Sequence, residues 1–342
     1  AFQYTNQIYD FEWAEDFSLA RNFAFSKCSM DYIYTADADE LLDSTNHLKF
    51  LQLKEVLLPE IEIVQMKYIE NNLQSVLNCV SEYRPKLFKR QRNFIWIDPI
   101  HETIRLDPVV FDSDIEICHQ PDRLHASRDF STFEKAYARD GLLSKNLYTM
   151  YAKELLKCGS PQDFLRAAEI FANVIRQETL DALHLQAACC ILVHAARIEA
   201  NDAAFIKYAS KVLSSEACSE ICYELGEYFT EKKDYEEAAL WFYNAAFESE
   251  AILDIHRSGD LALRGLHLSY QAQADSLRQE LSALQTSTQT LSETIADKNT
   301  ALSASCESEQ NFHSLFTYME QLEELATYYR QKEIEWHLPY CL

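Results

Sequence analysis

The sequence predicts an α/β domain followed by an all-α array and a long helical C-terminus. Three observations predict this. Up to about residue 125, short apolar segments bounded by turn residues alternate with helical stretches. From about Ser127 the hydrophobic period becomes helical, and no strand pattern follows. After Gly265 the chain is polar and helical with almost no breakers. The expected domains are 1–125, 126–262 and 263–336. A length of 342 residues suits two or three domains.

Asp16 to Lys27 reads as a helix, with Asp16 or Ser18 as its cap and Phe17, Ala20, Ala24 and Phe25 as its apolar stripe. Tyr32 to Ala36 is short and β-rich, which predicts an inner parallel strand. A helix is expected over His47 to Val56, ending before Pro59. Ile61 to Tyr68 alternates as a strand, with Ile61, Ile63, Gln65 and Lys67 on one face. Arg84 to Arg90, Phe94 to Ile97, Glu102 to Leu106 and Ile115 to Cys118 read as further strands joined by Pro- or Asp-containing turns.

In the helical half, Leu225, Gly226, Phe229, Tyr235, Ala238, Phe242 and Ala245 resemble the small/large pattern of a tetratricopeptide repeat. Small residues let two antiparallel helices approach, and large ones fill the space between. Ala167 and Phe171 mark a weaker copy within Tyr151 to Val174, and 183–212 reads as a degenerate unit. Farther on, Leu277, Leu281, Leu284, Leu291, Ile295 and Leu302 follow 4-3 spacing, with Thr288 and Lys298 in two slots. Either a coiled coil or a helical hairpin fits. A break is expected near Ser303 to Asn311. Phe312, Leu315, Phe316, Met319, Leu322 and Leu325 then form a returning apolar stripe.

The net charge of −23 argues against a nucleic-acid binder or an anionic-membrane binder, both of which need basic surface. No apolar run approaches the roughly 20 residues that span a bilayer. The ten cysteines show no CxxC pair, which predicts reduced, mostly buried thiols in a cytoplasmic protein.

The densest chemistry lies in FEWAEDFSLARNFAFSKCSMDYIYTADADE, Phe11 to Glu40. Asp37 and Asp39, two apart at a strand end, are placed to hold a divalent cation. Oxygen ligands suit hard ions such as Mg²⁺ or Mn²⁺, which share substrate phosphates. The same tetrad could instead cap the following helix. The string DFSxARNxA, then DYI, then DADE, resembles glycosyltransferase family 2 with its GT-A fold. It is most similar to a bacterial subgroup that carries a tetratricopeptide-type helical tail. The resembling part covers about residues 1–125. Gly-bearing opening strands that cradle the nucleoside in that family have no counterpart here, so the resemblance implies a catalytic domain lacking its first half and a fragment of little activity alone.

The resemblance implies an inverting, metal-dependent transfer from a nucleotide-diphosphate-sugar. Asp39 would be the direct metal ligand, with Asp37 on the metal, ribose or donor sugar, and His119 as a third ligand. Arg21 and Asn22 would face the donor; Arg21 could otherwise pair with Asp16 or Asp31. Glu102, in IDPIHETI, would be the base that takes the acceptor's proton, with His101 orienting it or touching the acceptor. The family's usual Glu-Asp pair is absent there. Arg84 and Arg90, with Lys86 on the same strand face and Lys89 and Arg92 nearby, would supply positive field for phosphate, or else guard an edge strand. The implied acceptor is a protein, peptide or glycan presented by the helical tail, which could also bind a protein partner. The competing expectation is a helical scaffold fused to a degenerate catalytic domain.

Overall fold

The computed structural model describes residues 6–70, 81–104, 106–119, 126–176, 181–296 and 305–337. It divides into two compact units, 1–177 and 178–342. The boundary expected at 125/126 lies inside the first unit, which continues through three helices.

The first unit opens with helix α1, Phe17–Lys27, capped by Asp16, whose side chain accepts from the Leu19 amide. Strand β1 (Tyr32–Tyr34) and the two-residue β2 (Glu40–Leu41) flank the acidic tetrad. Helix α2, Ser44–Val56, starts three residues earlier than expected because the Asp43 side chain caps it. Strands β3 (Ile63–Glu70), β4 (Ser81–Lys89) and β7 (Val110–His119) form the sheet centre. The order is β1-β4-β3-β7-β2, and β5 (Trp96–Ile97) pairs with β6 (Thr103–Ile104) separately. The β3–β7 pair is parallel; the other pairs in the five-stranded sheet are antiparallel.

Several expectations change here. β1 lies at the edge of the described sheet, antiparallel to β4, rather than inside it and parallel. Only Ile33 of its three residues is buried, while Tyr34 is exposed, so one face of the strand meets solvent. The basic strand stops at Lys89, because Arg90–Arg92 turn into a 3-10 helix closed by Asn93 in the left-handed region. Arg90 therefore leaves the strand face it was expected to share with Arg84.

Both sheet faces are buried. Val64, Met66, Tyr68, Leu87, Ile115 and Ile117 pack with Leu53 of α2. Ile63 and Phe88 pack with Phe94, Trp96 and Phe25 of α1. The register of the β3–β4 pair skips Lys86 of β4, while β3 keeps its alternation; Ile63 and Val64 are both buried because each faces one of the two clusters. Each large apolar side chain buried here contributes about 1.5–3 kcal/mol. Helices α3 (Ala126–Asp140), α4 (Lys145–Cys158) and α5 (Pro161–Ile175) complete the unit around Phe130, Phe133, Tyr151 and Phe171. Ser160 and Asp163 form a reciprocal capping box at α5.

The second unit holds α6 (Ala182–Ile198), α7 (Asp202–Leu213), α8 (Ser219–Glu231), α9 (Tyr235–Tyr243), α10 (Asp260–Ala296) and α11 (Ser305–His337). Phe242 of α9 shows why the small residues are needed. A Cβ on Gly226 of α8 would stand 2.7 Å from its ring, and one on Gly265 of α10 would stand 2.5 Å from it. The paired helices and the small/large spacing are thus present.

α10 and α11 form an antiparallel hairpin. Arg264 meets Glu333, His267 meets the Ala326 carbonyl, Tyr270 stacks on Tyr329, and Arg278 meets Glu323. The seam runs through Ala274, Leu281, Met319 and Leu322, with Ala326 and Tyr329 beyond. Leu284, Phe316 and Leu325 are exposed, unlike the expected stripe. Helix already covers Ser305, so the break expected at 303–311 does not extend through that span. Leu302, Lys298 and residues 120–125 lie outside the described residues, and nothing is described of the side chains of Leu291, Ile295 and Phe312.

Candidate active site

The acidic tetrad is a tight turn. The Glu40 amide donates to the Asp37 carbonyl, and the Asp37 amide donates to the Glu40 carboxylate at 3.2 Å. Glu40, the fourth member, has a side chain only 2% exposed and pairs closely with Lys86 of β4. The Lys86 ammonium, itself buried, lies 5.2 Å from the Tyr68 ring centre, and the Arg84 guanidinium lies 4.0 Å from it. Burial, together with the neighbouring Glu40 carboxylate, pushes the Tyr68 phenol well above its ordinary range; its hydroxyl hydrogen-bonds Glu40. Tyr34 is raised by the same causes, burial first and then Glu40 and Asp37. Arg84 also pairs with Glu82.

Asp37 is the open member of the tetrad. Its side chain is 47% exposed, 3.8 Å from Arg21 and 4.0 Å from Lys86. These separations leave acceptor capacity on the carboxylate. Asp39 is half-buried. His119 ends β7 and stands in register opposite Glu40 across the β2–β7 pair, one residue from Asp39 along β2's approach. Its side chain is not described.

Arg21 is the hub. Its Nε donates to Glu102, whose side chain is 11% exposed, and the same guanidinium faces Asp37 and lies 5.1 Å from the Trp96 ring centre. Three residues nominated from sequence therefore meet although they lie on α1, in the tetrad and beyond β5. Neither Asp16 nor Asp31 is its partner: Asp16 caps α1 and accepts from Arg139. Asn22 uses both ends of its amide on Trp96, donating to the carbonyl and accepting from the amide, each at 2.9 Å. It anchors α1 to β5.

His101 turns away from Glu102. Its Nε2 lies 2.5 Å from Glu154 of α4, and its ring stacks on Phe133. Its backbone is left-handed, with φ 49°, and Asp98 shares that region at 72°. His101 thus faces the helices while Glu102 faces Arg21. Glu154, in YAKELLK, carried no sequence signal. Arg90 lies at the other end of β1, donating to the Met30 carbonyl at 2.6 Å. It lines an open cavity of about 430 Å³ with Asn22, Phe25, Lys89 and Asn93.

The donor set of Asp37, Asp39 and His119 suits a hard divalent ion in chemistry, and Asp37 is free enough to join one. Among the described residues the tetrad carboxylates do not converge on one point; the single convergent group of three His, Cys, Asp or Glu ligands is Cys190, Cys218 and Glu220. Also among the described residues, no helix is long and apolar enough to cross a membrane. Compared with known proteins, the chain matches no family model and no curated sequence.

Proposed function

We propose that this protein is an inverting, metal-dependent glycosyltransferase that moves a sugar from a nucleotide-diphosphate-sugar to a protein, peptide or glycan acceptor. The observation that carries the reading is the convergence of Arg21, Asp37 and Glu102, all nominated by the family resemblance. Asp37 and Asp39, with His119, would hold Mg²⁺ or Mn²⁺, which neutralises charge gathering on the leaving nucleoside diphosphate. Arg21 would exchange part of its contact with the carboxylates for a forked contact to phosphate. Glu102, released from that pair, accepts the acceptor's proton as the nucleophile attacks the anomeric carbon. Arg84 and Lys86 add positive charge beside the tetrad. The helical units would present the acceptor. The proposed setting is the cytoplasm, which suits described cysteines that form no disulfide with one another, Cys28, Cys118, Cys158, Cys189, Cys190, Cys218 and Cys222.

The test is a screen for nucleotide-sugar hydrolysis with and without Mn²⁺. Asp39→Ala abolishes metal-dependent turnover, and Glu102→Gln keeps donor binding while losing transfer. Undiminished turnover in Asp39→Ala refutes the metal assignment.

A second reading has its own support: Arg21–Glu102 and Lys86–Glu40 already match charges within the chain. This favours a structural ion-pair network in a degenerate domain attached to a helical scaffold. Under that reading no donor is hydrolysed, Mn²⁺ has no effect, and Glu102→Gln acts only on stability.

A further inference from the structure

We propose that Cys190, Cys218 and Glu220 form a Zn²⁺ site in the second unit, separate from the tetrad. Cys190 lies in the middle of α6, Cys218 caps α8, and Glu220 is in the first turn of α8. Each is only 1% exposed. Their sulfurs and a Glu220 carboxylate oxygen all lie within 4.8 Å of one another. The sulfur–sulfur separation is 3.6 Å. Two thiolates on a tetrahedral zinc, each about 2.3 Å from the metal, stand about 3.8 Å apart, so little movement is needed.

Glu220 is fixed from outside. Its Oε1 accepts from the amides of Leu253 at 2.6 Å and of Ile252 and Asp254 at 2.9 Å. Its Oε2 has one longer contact, 3.3 Å from the Ile252 amide, and keeps acceptor capacity. Backbone donors of this kind orient a metal-binding carboxylate.

Zn²⁺ binds as each of the two thiols gives up its proton to solvent, leaving two thiolates and the Glu220 carboxylate around the dication. Two thiolates with one carboxylate select zinc over Mg²⁺ or Ca²⁺, which prefer oxygen alone.

The experiment uses the full chain, reduced, and loaded with Co²⁺ or Zn²⁺ as probes. One thiolate-bound metal per chain is expected, counted by a near-ultraviolet thiolate-to-cobalt band, which oxygen and nitrogen ligands at the tetrad would not give. Cys190→Ala and Cys218→Ser lose affinity by about 100-fold or more, while the exposed pair Cys28→Ser/Cys158→Ser keeps it. Serine is a favoured N-cap residue, so Cys218→Ser keeps the test open if Cys190→Ala does not fold. Sub-stoichiometric metal, or undiminished binding in a folded Cys190→Ala or Cys218→Ser chain, overturns the site. So does a Cys190–Cys218 disulfide in protein isolated without reductant that takes up no metal after reduction.

Discussion

Gly226→Ala sets two opposed effects against each other inside one helix pair. In α8, alanine improves helix propensity over glycine by about 1 kcal/mol. The new methyl would stand 2.7 Å from two carbons of the Phe242 ring. Ordinary carbon contacts are about 3.5–4.0 Å, so the ring must yield by nearly 1 Å. It has little room, because Gly265 of α10 is equally close to the same ring carbons. Overpacking of this kind costs about 1–3 kcal/mol. The net expectation is a loss of up to about 2 kcal/mol and a fall of up to roughly 4–8 °C in the melting temperature of the second unit. Thermal and urea unfolding followed by circular dichroism measure it. Phe242→Leu added to Gly226→Ala should recover part of the loss, so the double variant is more stable than the sum of the two single changes predicts. A raised melting temperature in Gly226→Ala, or strict additivity, refutes the account of Phe242 as a ring held between two glycines.

Glu224 accepts from His194 at 2.7 Å and from Arg197 and Arg257 at 2.8 Å, tying α6 and the turn at Ile255–Arg257 to α8. Burial alone would raise its carboxyl, but His194 and the two arginines outweigh that and hold it well below the usual range. Glu224→Gln should cost about 3–5 kcal/mol by stranding buried cations, read by urea unfolding at neutral pH. Because the folded value is depressed, this stabilisation is complete above the unfolded carboxyl's value of about 4.3 and is lost as pH falls toward the folded value. An unchanged acid limb in Glu224→Gln contradicts the assignment. Arg21→Ala leaves Glu102 without its cation and should cost the first unit about 1–3 kcal/mol, while Arg21→Lys recovers only part, lacking the fork. Trp96 fluorescence during denaturation reports it, and superimposable curves for the three proteins would sink the hub role. Trp336→Ala opens a gap over Gly259 and should cost about 2 kcal/mol, less than a fully buried tryptophan, measured as a lower melting temperature.

Local signals were legible in the sequence, and tertiary partners were not. The cap of α1 follows from Asp16 because a short carboxylate bonds its own chain three residues on; the same chemistry at Asp43 went unread, so α2 starts three residues before the expected His47. Ala238, Phe242 and Gly226 announced their packing through size alone. The placement of β1 failed for a reason that its residues carry: tyrosines need an outlet for their hydroxyls, and Tyr32 finds it at the Ile61 carbonyl, at a sheet margin. Lys86 looked like one of five strand cations. Its burial depends on Glu40, 46 positions away, and no local pattern reports such a pair. At the candidate site, Asp37 and Glu102 were nominated by motif, but their bridge through Arg21 and the pairing of His101 with Glu154 join segments far apart in the chain, which no local pattern reports. The hairpin seam differed from the leucine spacing because Ala274, Ala326 and stacked tyrosines carry much of it.

The hairpin has a consequence for how this chain can vary. Its cross-contacts pair residues whose positions add to nearly the same total, from Arg264 with Glu333 to Arg278 with Glu323. A helix turns by about 100° per residue, so a single insertion in one arm would swing every later side chain off the seam. Only matched changes of about seven residues in both arms, two full turns, restore the facing rows. The pair therefore behaves as a ruler with coarse graduations. Its reach is adjustable in steps of roughly 10 Å and resists anything finer.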